Sequence, residues 1–125
     1  MARNELPQTV RDLIERHLHS AADVDTLLLL FRAGGSWSPS TVARELRIDE
    51  DQAAGILARL CRRGLLRTES GSYRFHPRDP ATGEAVETLA PLYPAYRVAI
   101  VALIYARPTG PIRDFSDAFR LRKED

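Results

Sequence analysis

The chain has one cysteine, Cys61, among 125 residues. A lone thiol excludes an internal disulfide and offers no cysteine cluster to zinc, so the expectation is a cytoplasmic protein without metal or other cofactor. Lysine is almost missing: Lys123 is the only one, and arginine carries the positive charge. Net charge is also scarce, at +1. The opening residues, MARNELPQTVRDLIERHLHS, contain no apolar run of the kind that marks a secretory signal. Histidine is equally sparse. His17 and His19 fall on different faces of one helical stretch and His76 stands alone, so no nucleophile–base pairing is visible, nor is any phosphate loop, and no enzyme is expected. Cys61 precedes Arg62 and Arg63, which can lower a thiol's pKa. A redox switch is therefore one reading of it, and a small apolar packing residue is the other.

What is present suits a single small soluble unit, with 44% hydrophobic and 28% charged residues. Three stretches can be marked: N-terminal helices over 1–35, a central core over 36–77, and a linker with further helices over 78–125. Val10, Leu13, Ile14 and Leu18 recur at helical spacing over 8–18, with Thr9 as a candidate cap. Ser20 can cap a second helix over 22–33, filled by Val24, Leu27, Leu28, Leu30 and Phe31 and stopped by Gly34-Gly35. Trp37, just before Pro39, reads as an apolar plug at the entrance to the core.

Residues 40–76 read as helix, tight turn, helix and β-hairpin. Val42, Ala43 and Leu46 form one apolar helical face, which Ser40 or Thr41 can cap. Arg47 to Asp49 makes the turn. Asp49 then caps a helix whose face is Ala53, Ile56, Leu57 and Leu60, and Gly64 supplies the left-handed end. Leu65 to Thr68 and Ser72 to Phe75 are two short strands joined through Ser70-Gly71-Ser72. This stretch, and in particular Leu60-Cys61-Arg62-Arg63-Gly64-Leu65-Leu66, resembles the bacterial winged helix-turn-helix superfamily that includes the MarR-like transcriptional regulators. The resemblance covers about a third of the chain. It implies a mainly α fold with a small β-hairpin wing, flanked by N- and C-terminal helices, and DNA binding as the usual use of that fold.

After the turn-rich stretch 76–83, residues 84–106 read as helical again despite Pro91 and Pro94. Their last part, VAIVALIYA over 98–106, is apolar on every side and must be buried. Nine residues are too few for a bilayer, which needs about 20, so no membrane is expected. A homodimer is expected instead, through this helix and the first one, with Ile100, Leu103 and Ile104 at the interface. In the tail, Ile112, Phe115 and Phe119 share one helical face that can dock on the chain itself, on a second subunit or on another protein. Four basic side chains over 112–125 are balanced by four acidic ones, leaving no attraction for anionic lipid.

Two function classes remain. Arg44, Arg47, Arg59, Arg62, Arg63, Arg67 and Arg74, with Gln52 as the one base reader, would make a surface for duplex DNA, the second helix lying in the major groove and the hairpin near the backbone. Against that, residues 40–76 hold seven arginines and five acids. Three of those acids, Asp49, Glu50 and Asp51, stand where phosphates would approach. They also complement the helix dipole. The first class is a dimeric transcription regulator. The second is an adaptor in which the same fold binds a protein of the transcription or signalling machinery through the second helix or the tail.

Overall fold

A computed structural model describes residues 6–106. Five helices and one two-stranded sheet follow in the order α1 (Gln8–His17), α2 (Ala21–Ala33), α3 (Pro39–Leu46), α4 (Glu50–Arg62), β1 (Leu66–Glu69), β2 (Ser72–Phe75) and α5 (Pro80–Ala106). The chain is thus mainly α with a β-hairpin. One cluster of buried side chains runs from Leu6 to Ile104. α2 is central, packing on α3, α4, β2 and α5, while α1 lies against α5.

Helix starts are set by local chemistry, and two of the first four differ from expectation. α1 begins one residue before Thr9, because the Pro7 carbonyl accepts from Val10 N at 3.1 Å and Arg11 N at 3.0 Å. Proline has no N–H to lose there. α3 is capped by Ser38, and neither Ser40 nor Thr41 occupies that position. The Ser38 hydroxyl accepts from Thr41 N at 3.2 Å, the Thr41 hydroxyl accepts from Ser38 N at 3.0 Å, and Pro39 takes the first helical position. Asp49 occupies the cap position of α4, but its side chain makes no capping bond. Ser20 caps α2 as expected, accepting from Asp23 N at 3.1 Å.

α4 ends in a Schellman arrangement: Gly64 N donates to Cys61 O and Leu65 N to Leu60 O, each at 3.0 Å, with both leucines fully buried. Gly64 has φ +83°, and the Arg78 side chain lies across it so closely that an added Cβ would be 2.3 Å from Nε. The positive φ is what calls for glycine there, since the Arg78 side chain is exposed and can move aside. The hairpin pairs Leu66 with Phe75 and Glu69 with Ser72. Its two-residue turn has positive φ at both Ser70 and Gly71, the geometry that matches the strands' right-handed twist. Trp37 is more than a plug. It exchanges two 2.8 Å backbone bonds with Tyr73 on the free edge of β2, and its indole N–H donates to Gly34 O at 2.9 Å. Phe75 meets Phe31 of α2 edge-on at 5.1 Å, seating the hairpin on the helices.

α5 starts at Pro80, inside the stretch expected to be linker, because the Asp79 carboxylate accepts from Thr82 N at 2.7 Å. That bond holds the Asp79 carboxyl below its usual pKa. The helix runs 27 residues and kinks at Tyr96 (φ −114°, ψ 24°). Pro94 is the cause: it cannot donate to the carbonyl four residues back and pushes that carbonyl away. The carbonyl is that of Ala90, and the Arg32 guanidinium donates to it at 2.6 Å. The nine-residue limit placed on this segment therefore does not hold, since by length and composition alone α5 is long and apolar enough to cross a membrane. Part of that apolar surface is spent inside the chain, where Ala85, Val86, Leu89, Tyr93, Ile100 and Ile104 are buried.

Candidate nucleic-acid interface

The eight side chains proposed from the sequence to face DNA divide into two groups. Arg44, Arg47, Gln52, Arg62, Arg67 and Arg74 are all exposed, and among the described residues none of the six has an ion-pair partner. Arg44 lies in the last turn of α3, and Arg47 follows that helix in the left-handed conformation (φ 60°, ψ 48°). Gln52 is in the first turn of α4 and Arg62 in its last. Arg67 and Arg74 are direct partners across the hairpin. Leu66 and Phe75, their neighbours in register, turn toward the core, so the two guanidinium groups share the solvent face. Like charges placed opposite each other across a sheet are destabilising. An anion between them would remove that cost.

Arg59 and Arg63 are bound within the chain and leave the candidate surface. Arg59 pairs with Asp23, a carboxylate with no solvent exposure. Asp23 also accepts from His19 N at 2.8 Å and from the Ser20 hydroxyl at 3.1 Å. The α2 cap and an α2–α4 bridge are thus one network. Arg59 Nε is buried without a partner in it. Arg63 donates to the Arg16 carbonyl at 2.8 Å, satisfying the end of α1. Periodicity places both arginines on the right helix but cannot show that Asp23 is buried, and a buried carboxylate demands a base.

The acidic residues Asp49, Glu50 and Asp51 are exposed at the start of α4. With no capping bond from Asp49, their local role reduces to complementing the helix dipole. Cys61 is half-buried against the core. Among the described residues, no group of three His, Cys, Asp or Glu side chains comes together.

The expected dimer residues are placed differently from the sequence reading. Ile100 and Ile104 are buried within the chain and Leu103 is half-buried against the same core. The apolar face of α1 is likewise covered, with Val10, Leu13 and Ile14 buried. A seam through Ile100 and Ile104 would have to open the fold. The large apolar side chains of α5 that are most exposed are Val98, at 85%, and Tyr105, at 64%. Ile112, Phe115 and Phe119 lie outside the described residues.

Beside this face, the Tyr93 hydroxyl donates to Asp25 at 3.1 Å, Arg97 lies 3.9 Å from the same carboxylate, and the Arg97 guanidinium covers the Tyr93 ring at 5.5 Å. Burial first, and then the charge of Asp25, push the Tyr93 phenol up to about 12, so it remains a donor throughout the neutral range. At the end of α1, burial lowers the His17 pKa, aided by Arg63, Arg16 and Arg78.

No protein-family model, curated protein or solved structure matches this chain.

Proposed function

We propose that residues 36–77 form a winged helix-turn-helix and that the chain is a DNA-binding transcriptional regulator acting as a homodimer in the cytoplasm. The observation that carries this reading is the Arg67–Arg74 pair: two exposed cations, without an ion-pair partner among the described residues, held side by side on the hairpin at a cost to its stability, a geometry suited to backbone phosphate. Arg44, Arg47 and Arg62 add exposed charge that has no ion-pair partner among the described residues, and Gln52 is the side chain that would read a base edge. The direct test is binding of the full chain to random genomic duplex as salt is varied. Phosphate contact makes affinity fall steeply with salt, with a logarithmic slope of about −0.9 for each phosphate neutralised. Absence of binding at low salt sinks the reading.

A second reading, the protein-binding adaptor, is favoured by one observation: Asp49, Glu50 and Asp51 are exposed and Asp49 is not used as a cap. Replacing all three by neutral residues tightens nonspecific DNA binding if α4 faces a duplex. If α4 docks on a protein, the change leaves DNA affinity untouched and abolishes capture of the partner.

A further inference from the structure

Beside the kink of α5, a cavity of about 390 Å³ opens between α2, α3 and α5. Leu28 and Leu29 of α2 and Leu46 of α3 give it an apolar wall, and Tyr93 brings α5 to it. Small-molecule sites have this character, mostly apolar with a few polar groups in about 300–1,000 Å³. The charged groups that line the cavity are Asp25, Arg32 and Glu45, two carboxylates against one guanidinium. The guanidinium is already engaged, donating to the Ala90 carbonyl at 2.6 Å. The carboxylates keep capacity. Asp25 Oδ1 accepts from the Tyr93 hydroxyl at 3.1 Å, whereas Oδ2 has Arg97 at 3.9 Å, beyond hydrogen-bond length. Glu45 is exposed and has no ion-pair partner among the described residues.

The geometry points to this cavity as the binding site of a small amphipathic amine, an ammonium group carried on an apolar body about the size of one ring. The body covers the three leucines and takes their surface out of water. The ammonium donates to Asp25 Oδ2 and to Glu45, and the match is complementary in kind, since an ammonium only donates and an ionised carboxylate only accepts. Tyr93 holds Asp25 for this purpose: its phenol stays protonated through the neutral range and donates to Oδ1, leaving Oδ2 for the ligand. Arg97 is half-exposed and its contact with Asp25 is long, so turning it to water as the amine arrives costs little. An anion is disfavoured at the same place. It meets two like charges, and the guanidinium that could receive it is tied to the carbonyl that Pro94 leaves without a donor. A neutral molecule of the same shape keeps the apolar contact and leaves both carboxylates unused. Asp49, Glu50 and Asp51 also attract cations, but they do not line this cavity. Such a site stands whether or not the chain binds DNA.

The experiment titrates the full chain at neutral pH with three probes of similar shape, phenethylamine, phenethyl alcohol and hydrocinnamate, and follows the methyl signals of Leu28, Leu29 and Leu46 by NMR. The amine is expected to move those signals and to bind about 10-fold or more tightly than the alcohol, the scale of a hydrogen bond to a charged group, with hydrocinnamate the weakest. Asp25→Asn keeps an acceptor for the Tyr93 hydroxyl, and Glu45→Gln alters an exposed side chain, so both variants are expected to keep the parent's helix content. Each change alone is expected to remove part of the preference for the amine, and the two together to bring the amine to the level of the alcohol without weakening the alcohol. Equal binding of amine and alcohol, or a preference for hydrocinnamate, overturns the charge assignment. An amine preference that survives the double change, or that moves none of the leucine methyls, puts the amine elsewhere on the chain and overturns the site. Failure of all three probes to bind at millimolar concentration overturns it outright. The salt dependence of duplex binding is read separately and is not decided by any of these outcomes.

Discussion

Asp23 is the residue on which the relative placement of α2 and α4 turns. Its carboxylate is fully buried and holds Arg59, while two further hydrogen bonds tie it to the α2 cap. Removing one partner of a buried pair strands the other, at a cost of about 3–5 kcal/mol. Arg59 is 30% exposed and can reach water, so Asp23→Ala is expected at the lower end, about 3 kcal/mol, in urea unfolding. The double change Asp23→Ala with Arg59→Met is expected to cost clearly less than the two single changes added together, because neither charge is then left alone. Additive losses would mean that the two side chains act independently. The network is not legible in the sequence: Ser20 reads as a helix cap, and nothing in the sequence reports that the Asp23 carboxylate is sealed beneath α4. The same network removes Arg59 from the set available to a ligand. Arg63 is removed by a related cause, the need of a helix end for a donor.

Among the elements, those defined by local chemistry were legible and those defined by distant contacts were not. Gly34-Gly35, Ser20, Gly64 and the Ser70-Gly71 turn mark boundaries because only particular residues satisfy the backbone there. The start of α3 was misplaced because Ser38, Ser40 and Thr41 are all competent caps, and Pro39 at the first helical position is what selects Ser38. The bridge from Trp37 to Tyr73 joins positions 36 residues apart, and no periodicity encodes it. The sequence carries helix through prolines 91 and 94 over 84–106, but it does not show that α5 begins at Pro80, nor that Arg32, 58 positions from Ala90, donates to the carbonyl that Pro94 leaves without a partner. α1 carries a pH-dependent consequence. The folded chain holds His17 below its ordinary value of 6.5, so in the interval beneath that value the unfolded chain binds more protons than the folded one. Stability is therefore full above the unfolded pKa and is lost as pH falls from it toward the folded value. Between about pH 7.5 and about pH 5, the urea midpoint of His17→Gln is expected to decline less than that of the parent chain. Parallel curves would contradict this assignment.

At the scale of the whole molecule, the charge balance of +1 conceals an uneven use of arginine. Arg32, Arg59 and Arg63 are spent on carbonyls and a buried carboxylate, which fasten α2 to α5, α4 to α2 and α4 to α1. Arg44, Arg47, Arg62, Arg67 and Arg74 are left to solvent around the helix–turn–helix and hairpin. The proposed function depends on that division, with the second group meeting phosphate and the first doing structural work only. It is tested most directly by the salt dependence of duplex binding for three proteins: the parent chain, Arg67→Ala with Arg74→Ala, and Arg63→Ala. Losing two phosphate contacts is expected to make the logarithmic salt slope shallower by about 2 and to weaken binding to all sequences alike, while Arg63→Ala is expected to keep the parent slope. An unchanged slope in the hairpin variant, or an equal loss in Arg63→Ala, would contradict the account.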